Sequence, residues 1–171
     1  MQEVFINNLK KIRKLKNKLE KALKIKLIVN NKVEIESKED DAFSEYLAGK
    51  VIEALSFGFQ LTDALQLGSE EFMFEKINIK KYVRPSRLKT VLGRIIGKRG
   101  KFLKTFTILS DCGIQIKDYT IALIGRAEDI DIAMGALMKL IRGSPHPKVY
   151  AFLERNKALK REKIDEDLGL K

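Results

Sequence analysis

The run Gly93-Arg-Ile-Ile-Gly-Lys-Arg-Gly-Lys-Phe-Leu-Lys-Thr-Phe106 sets three glycines and five cations among apolar residues without a single acid. The chemistry open to such residues is the capture of an anion. Gly97 and Gly100 carry no Cβ, so the chain can bend sharply between them and a phosphate can come close to the amides. A helix starting at Gly100 adds unpaired N–H groups and the positive end of its dipole. Lys98 and Arg99 project from the bend, and Arg87, Arg94, Lys101 and Lys104 extend the same basic run. Such contacts hold a phosphate backbone without choosing a base. Ile95, Ile96 and Ile116 are the apolar residues placed to line a groove for bases, although part of this set must also serve the core.

Other chemistry fits less well. A nucleotide-binding loop needs the spacing G-x-x-x-x-G-K-[ST], yet Gly93 and Gly97 are one residue too close and Arg99 stands where the magnesium-binding hydroxyl belongs. Carboxylates gather at Glu39, Asp40, Asp41 and at Glu128, Asp129, Asp131, but both groups open helical segments, where capping accounts for them without a metal. His146 is the only histidine and Cys112 the only cysteine, so one chain builds neither a Cys/His zinc site nor a disulfide framework. With no nucleophile or orienting acid beside it, His146 reads as a packed or capping residue, and Cys112 as small apolar filling. No catalytic residue, metal or cofactor is expected. The alternative, an RNA-processing enzyme, rests on carboxylates that capping already explains.

The charge distribution agrees. The 171 residues carry 34 Lys and Arg against 23 Asp and Glu, a formal net charge of +11, which favours polyanionic partners. Residues 1–70 hold 12 cations and 11 acids while residues 71–171 hold 22 and 12, so the surplus is C-terminal. No acid lies between Glu75 and Asp111. A solvated face normally mixes both signs. The first residues lack the apolar run of a secretory signal, and no stretch reaches the ~18–20 apolar residues of a membrane span, which sets a reduced cytoplasmic compartment as the expectation. Residues 7–24 form a basic amphipathic pattern that suits an anionic membrane surface, but only by exposing a stripe that the following hairpin needs. No membrane partner is expected.

The elements that must position the bend follow from periodicity. Residues 2–6 are β-prone, and from Asn7 the residues Leu9, Ile12, Leu15, Leu19 and Leu23 recur at helical spacing to about residue 24. Ile25–Val29 and Lys32–Glu36 alternate around Asn30-Asn31 as a hairpin. Ser37 and the acids at 39–41 mark a helix start, with Phe43, Leu47, Val51 and Leu55 as its buried stripe and Gly58 as its end. A second series begins with a strand at 72–79. A helix opened by Pro85 runs to Ile96, helix resumes at 101–111, strands follow at Ile114–Ile116 and Tyr119–Ile124, and a last helix carries Ile130, Ala133, Met134, Leu137 and Ile141 to Gly143. Both halves thus read strand, helical segment, strand, strand, helix. The organisation expected is a first module at 1–58, a partly helical linker at 59–71, a second module at 72–143, and a helical tail at 144–171 whose charged end is disordered. In that tail Pro145 and Pro147 fix an extended corner, Val149, Tyr150, Phe152 and Leu153 pack back, and Lys148 and Arg155 are candidates for nucleic-acid contact.

Gly97-Lys-Arg-Gly100, preceded by Ile95-Ile96 and set between two short helices, resembles the I-G-x-x-G signature of the KH RNA-binding domain, whose loop clamps four nucleotides of single strand. The resemblance implies an α+β fold of two tandem type I KH modules, each β-α-α-β-β-α, with the C-terminal helical tail packed on them. The first module departs from the pattern. Its counterpart of the turn, Lys10 to Lys18, has no glycine, so its helices are expected to fuse, its backbone clamp to be absent, and its role to be a protein platform or an auxiliary RNA contact. Gly143-Ser-Pro-His-Pro-Lys-Val-Tyr-Ala-Phe-Leu-Glu-Arg155, taken with the glycine turn and the tandem modules, looks like the partner-of-Nob family, the Dim/Pno and Krr class of ribosome assembly factors, in its archaeal form. That resemblance implies a binding protein on the 3′ region of small-subunit ribosomal RNA, with the Nob endonuclease and the alpha subunit of translation initiation factor 2 as partners. A general KH-type RNA-binding regulator is the alternative within the same class.

Overall fold

The computed structural model describes residues 2–4, 9–37 and 41–170, the first three by backbone alone. The β-prone residues 5–6, the start of the helical pattern at Asn7 and the acids Glu39 and Asp40 lie outside the described residues. Contacts divide the chain into two units, Met1–Phe74 and Glu75–Lys171.

In the first unit, strand β1 (Gln2–Val4) is followed by helix α1 (Leu9–Leu23), strands β2 (Ile25–Val29) and β3 (Val33–Ser37), and helices α2 (Ala42–Phe57) and α3 (Leu61–Leu65). The sheet order is β1-β3-β2. Strand β3 pairs antiparallel with both neighbours, Val4 facing Val33 on one side and Val29 facing Val33 on the other. Period-two alternation puts Ile25, Leu27, Val33 and Ile35 wholly inside. Against them α1 buries Ile12 and Leu19. It is one unbroken helix, as a lysine-rich run without glycine dictates. Asp41 caps α2 by accepting from the Phe43 amide at 3.0 Å and from Ser44 Oγ at 2.6 Å, and these bonds hold its carboxyl below the usual range. Val51, Ile52 and Leu55 carry the buried face of α2, but Phe43, in its first turn, is 62% exposed and drops out of the stripe expected from its spacing. Gly58 closes α2 at φ 113°, the left-handed region that glycine enters without cost. The segment 59–71 is packed, with Phe59, Ala64 and Leu67 buried and a 3₁₀ turn at Gln66–Gly68 after α3.

The second unit takes up the chain within β4 (Phe72–Asn78) and continues through α4 (Leu88–Ile96), α5 (Lys101–Ser110), β5 (Gly113–Lys117), β6 (Thr120–Arg126), α6 (Ala127–Ile141) and α7 (His146–Asp167). Its sheet order is β4-β6-β5, with Ile114 facing Leu123 and Ile116 facing Ile121 across β5 and β6. Central β6 is buried from Ile121 to Gly125. Leu88, Val91 and Ile95 of α4, Phe102 and Phe106 of α5, and Ile130, Ala133 and Leu137 of α6 close the core over the sheet. Each of the two phenylalanines contributes about 1.5–3 kcal/mol by leaving water.

The tail belongs to this unit. Pro145 is extended (ψ 152°), but Pro147 lies in the first turn of α7, where its missing N–H costs nothing; the corner expected from both prolines is made by Pro145 alone. Val149 and Leu153 are fully buried. Two lysines then tie α7 down: Lys157 Nζ reaches Asp111 Oδ1 at 2.7 Å and the Ile108 carbonyl at 2.9 Å, and Lys160 Nζ reaches Asp129 Oδ1 at 2.6 Å. Asp129, only 6% exposed, requires such a partner. Helix persists to Asp167, through the charged end where the sequence reading expects disorder.

Candidate nucleic-acid interface

The bend is built by two helices that stop and restart around buried anchors. Ile95 pins the last turn of α4 in the core, and Gly97 ends the helix by donating to the Gly93 carbonyl at 2.9 Å. Gly97 sits at φ 73°, ψ 170°, a region open essentially to glycine alone. Arg99 and Gly100 follow in the left-handed region at φ 55° and 72°. A Cβ on Gly97 would lie 2.6 Å from Phe102 Cβ and 2.8 Å from Phe102 N, whereas one on Gly100 meets nothing within 4 Å. The first glycine therefore allows α5 to begin in contact with the end of α4, and the second serves the turn of the backbone. Gly93 is an ordinary exposed helical position with open space around it.

Gly100 N bonds the Gly97 carbonyl at 3.2 Å and the Lys101 amide bonds the Lys98 carbonyl. These bonds, with that of Gly97, use the amides of Gly97, Gly100 and Lys101 and not those of Lys98 and Arg99. The tip is thus a rigid corner with two cationic residues at its crest. Lys98, Arg99, Lys101 and Lys104 are all exposed with Ile96 37% exposed beside them, and Arg87 is exposed at the other end of α4. Among the described residues no ion pair engages these cations, the acids Asp111 and Asp129 being taken by Lys157 and Lys160.

Three predicted site residues are placed otherwise. Ile95 is fully buried and forms core instead of lining a groove, because the 3.6-residue period that exposes Ile96 turns its neighbour inward. Ile116 is half-buried on β5 and packs against the core. Arg94 is half-buried, and its Nη2 donates to the Ser144 carbonyl at 2.5 Å, so its charge braces the tail.

That brace escaped the sequence reading. The Arg94 carbonyl accepts from His146 Nε2 at 2.8 Å; a carbonyl only accepts, so Nε2 carries the proton. The His146 ring lies 4.5 Å from the Phe102 ring, which stacks on Tyr150 at 5.3 Å and 21°. One turn of α7 thus grips the last turn of α4 and the first turn of α5, the two arms of the bend. His146 is the packed residue its sequence context implies, but its partners are the arms of the site. The signal was the i, i+4 pair His146 and Tyr150 together with a phenylalanine two residues after the glycine turn; nothing local joins them.

Among the described residues, no cluster of three or more His, Cys, Asp or Glu is placed to hold a metal ion, and no helix is long and apolar enough to cross a membrane.

A family model described as a eukaryotic-type KH domain (KH domain type I), the second KH domain of PNO1, matches residues 73–158, from β4 into α7. The crystal structure of Dim2p from Pyrococcus horikoshii is 31% identical and superposes with a TM-score of 0.78 over 90% of this chain and 98% of that one. This chain belongs to the PNO1/Dim2 family of KH-domain proteins. A second Pyrococcus horikoshii structure, of an a/eIF2alpha–aDim2p–rRNA complex, matches with a TM-score of 0.80 and 31% identity over 92% of this chain and 93% of the matched one. A KH domain-containing protein of Methanocaldococcus jannaschii is 31% identical over 148 residues, 84% of this chain and 65% of the relative. The RNA-binding protein pno1 of Dictyostelium discoideum is 30% identical over 141 residues, 77% of this chain and 58% of the relative. The chain thus spans less than two thirds of the length of these two curated relatives. Its architecture is an α+β, KH-like fold with a helical C-terminal part, and the bend at Gly97–Gly100 falls inside the region matched to the PNO1 domain.

Proposed function

We propose that this protein is an RNA-binding assembly factor of the small ribosomal subunit that grips single-stranded ribosomal RNA near its 3′ end through the Gly97–Gly100 turn. The observation that carries the reading is the exposed corner itself: Lys98 and Arg99 stand at its crest with no ion pair among the described residues, and Gly97 occupies a conformation that only a glycine holds cheaply. The protein acts by binding, in the cytoplasm, without catalysis. Its two units are tandem type I KH modules, a reading supported by their shared strand order, third strand central in each; the first lacks the turn and serves a partner or a secondary contact. The alpha subunit of translation initiation factor 2 is the partner favoured by the composition of the Pyrococcus complex, and a Nob-type endonuclease is the second.

The test is charge reversal at the crest. The double variant Lys98→Asp/Arg99→Asp should lose at least tenfold in affinity for single-stranded small-subunit rRNA at moderate salt, with its circular dichroism unchanged. The slope of log affinity against log salt should become shallower by about 1.4, at roughly 0.7 per lost phosphate contact. Unaltered affinity and slope would remove the turn from the function.

A further inference from the structure

A second exposed feature of the Glu75–Lys171 unit is unused by the turn. Where β4 ends, Ile79–Lys81 forms a 3₁₀ turn whose first residue donates to the Tyr119 carbonyl at 2.9 Å. The Asn78 side chain caps this turn at the Lys80 amide at 3.0 Å, and the Tyr82 amide closes onto the Ile79 carbonyl at 3.0 Å. Lys80 Nζ lies over the Tyr119 ring at 5.1 Å. The result is a corner fixed on two sides, by β4 and by the β5–β6 turn, with Ile79 fully buried beneath it. On this base Tyr82 is 56% exposed, with Lys81, Arg84 and Arg87 also exposed close by in sequence and no acid between Glu75 and Asp111. A large ring held in water by a rigid, purely cationic segment is the combination by which proteins seat single-stranded nucleic acid: charge tracks the backbone and the ring face takes a base.

We propose that Tyr82 is a base-stacking platform for single-stranded RNA, separate from the glycine turn. The proposal rests on the RNA-binding reading and extends it. The short 3₁₀ segment Pro85–Arg87 leads straight into α4, whose nine residues span about 13 Å, so the platform and the turn stand at opposite ends of one helix. A strand seated on the turn that continues along α4 meets Tyr82. Because every base has a π-face, the platform adds affinity with little sequence preference.

The chain has no tryptophan, so Tyr82→Trp installs a unique fluorophore at the platform. Its emission should be quenched by mixed-sequence single-stranded RNA and not by the same backbone made abasic. In the unmodified background Tyr82→Ala should weaken binding of the intact strand about tenfold, within the range for one stacked base, leave the salt slope unchanged, and leave abasic binding unchanged; Tyr82→Phe should retain affinity. Equal quenching by both strands, or unaltered affinity of Tyr82→Ala, overturns the platform. So does loss of binding to a protein partner without loss of RNA affinity. The Lys98→Asp/Arg99→Asp variant measured alongside separates the two claims: a loss there without one at Tyr82 refutes the platform alone, and the reverse refutes the turn alone.

Discussion

Gly97→Ala is the sharpest perturbation of the corner. Two costs add. The conformation at φ 73°, ψ 170° is worth about 1–3 kcal/mol of strain for any residue with a Cβ. The new methyl would also sit 2.6 Å from Phe102 Cβ and 2.8 Å from Phe102 N, and relieving this by moving the start of α5 costs about 1–3 kcal/mol, as other overpacked sites do. The sum is about 2–6 kcal/mol. Gly100→Ala is the internal control: its φ is 72°, but nothing lies within 4 Å of its Cβ, leaving only the left-handed penalty of about 1–2 kcal/mol. For a unit of this size each kcal/mol lowers Tm by about 4–8 °C. Thermal melts should therefore place Gly97→Ala at least about 8 °C below the parent and below Gly100→Ala, and single-stranded RNA affinity should fall with Gly97→Ala at temperatures where the variant is still folded. If the two alanines melt together, the close approach of α5 to α4 is not what fixes the corner.

Three further outcomes follow from the packing of this unit. His146→Gln retains a donor for the Arg94 carbonyl and His146→Phe retains the ring against Phe102, so each should lose about 1 kcal/mol by denaturant titration and His146→Ala more than either. A Cβ on Gly125 would lie 2.6 Å from Cys112 Sγ; Gly125→Ala should destabilise by about 1–3 kcal/mol, with Cys112→Ala restoring part of the loss in the double variant. Burial, followed by the charge of Asp129, pushes the Cys112 thiol from 9.0 up to about 12, so a thiol reagent at pH 8 should label it only after unfolding. Since the folded thiol stays protonated while the unfolded one ionises near 9.0, its contribution to stability is complete below that pH and fades as pH rises towards about 12.

What could be read in the sequence was whatever a single element encodes. Alternation gave β2 and β3, spacing gave α1, α4 and α6, and the bend was visible because two glycines and their flanking cations lie within four residues. What could not be read depended on partners distant in the chain. Arg94 carries the same charge as Lys98, but the Ser144 carbonyl, 50 residues away, claims it. Ile95 and Ile96 are chemically identical neighbours, and only the rotation of α4 against the sheet decides that one is buried and the other exposed. Phe43 fitted a helical stripe and missed the core, because a stripe gives a face of the helix and not which positions along it are covered.

The corner also gathers departures from local rules within four residues, with Gly97, Arg99 and Gly100 all at positive φ. Four exposed cations, Lys98, Arg99, Lys101 and Lys104, stand together here, and Arg99 holds a left-handed backbone at φ 55° with a side chain that disfavours it. Such departures persist where function requires them. Arg99→Gly separates the two demands. It should relieve about 1–2 kcal/mol of left-handed strain while adding about 0.5–1 kcal/mol of unfolded-chain entropy, leaving a protein as stable as the parent or slightly more so. If Arg99 is kept for its charge, the same variant should bind single-stranded RNA several-fold more weakly, with a salt slope shallower by roughly 0.7, while Arg99→Lys keeps both. A variant that gains stability without losing affinity would mean that the strain serves the fold and not the RNA.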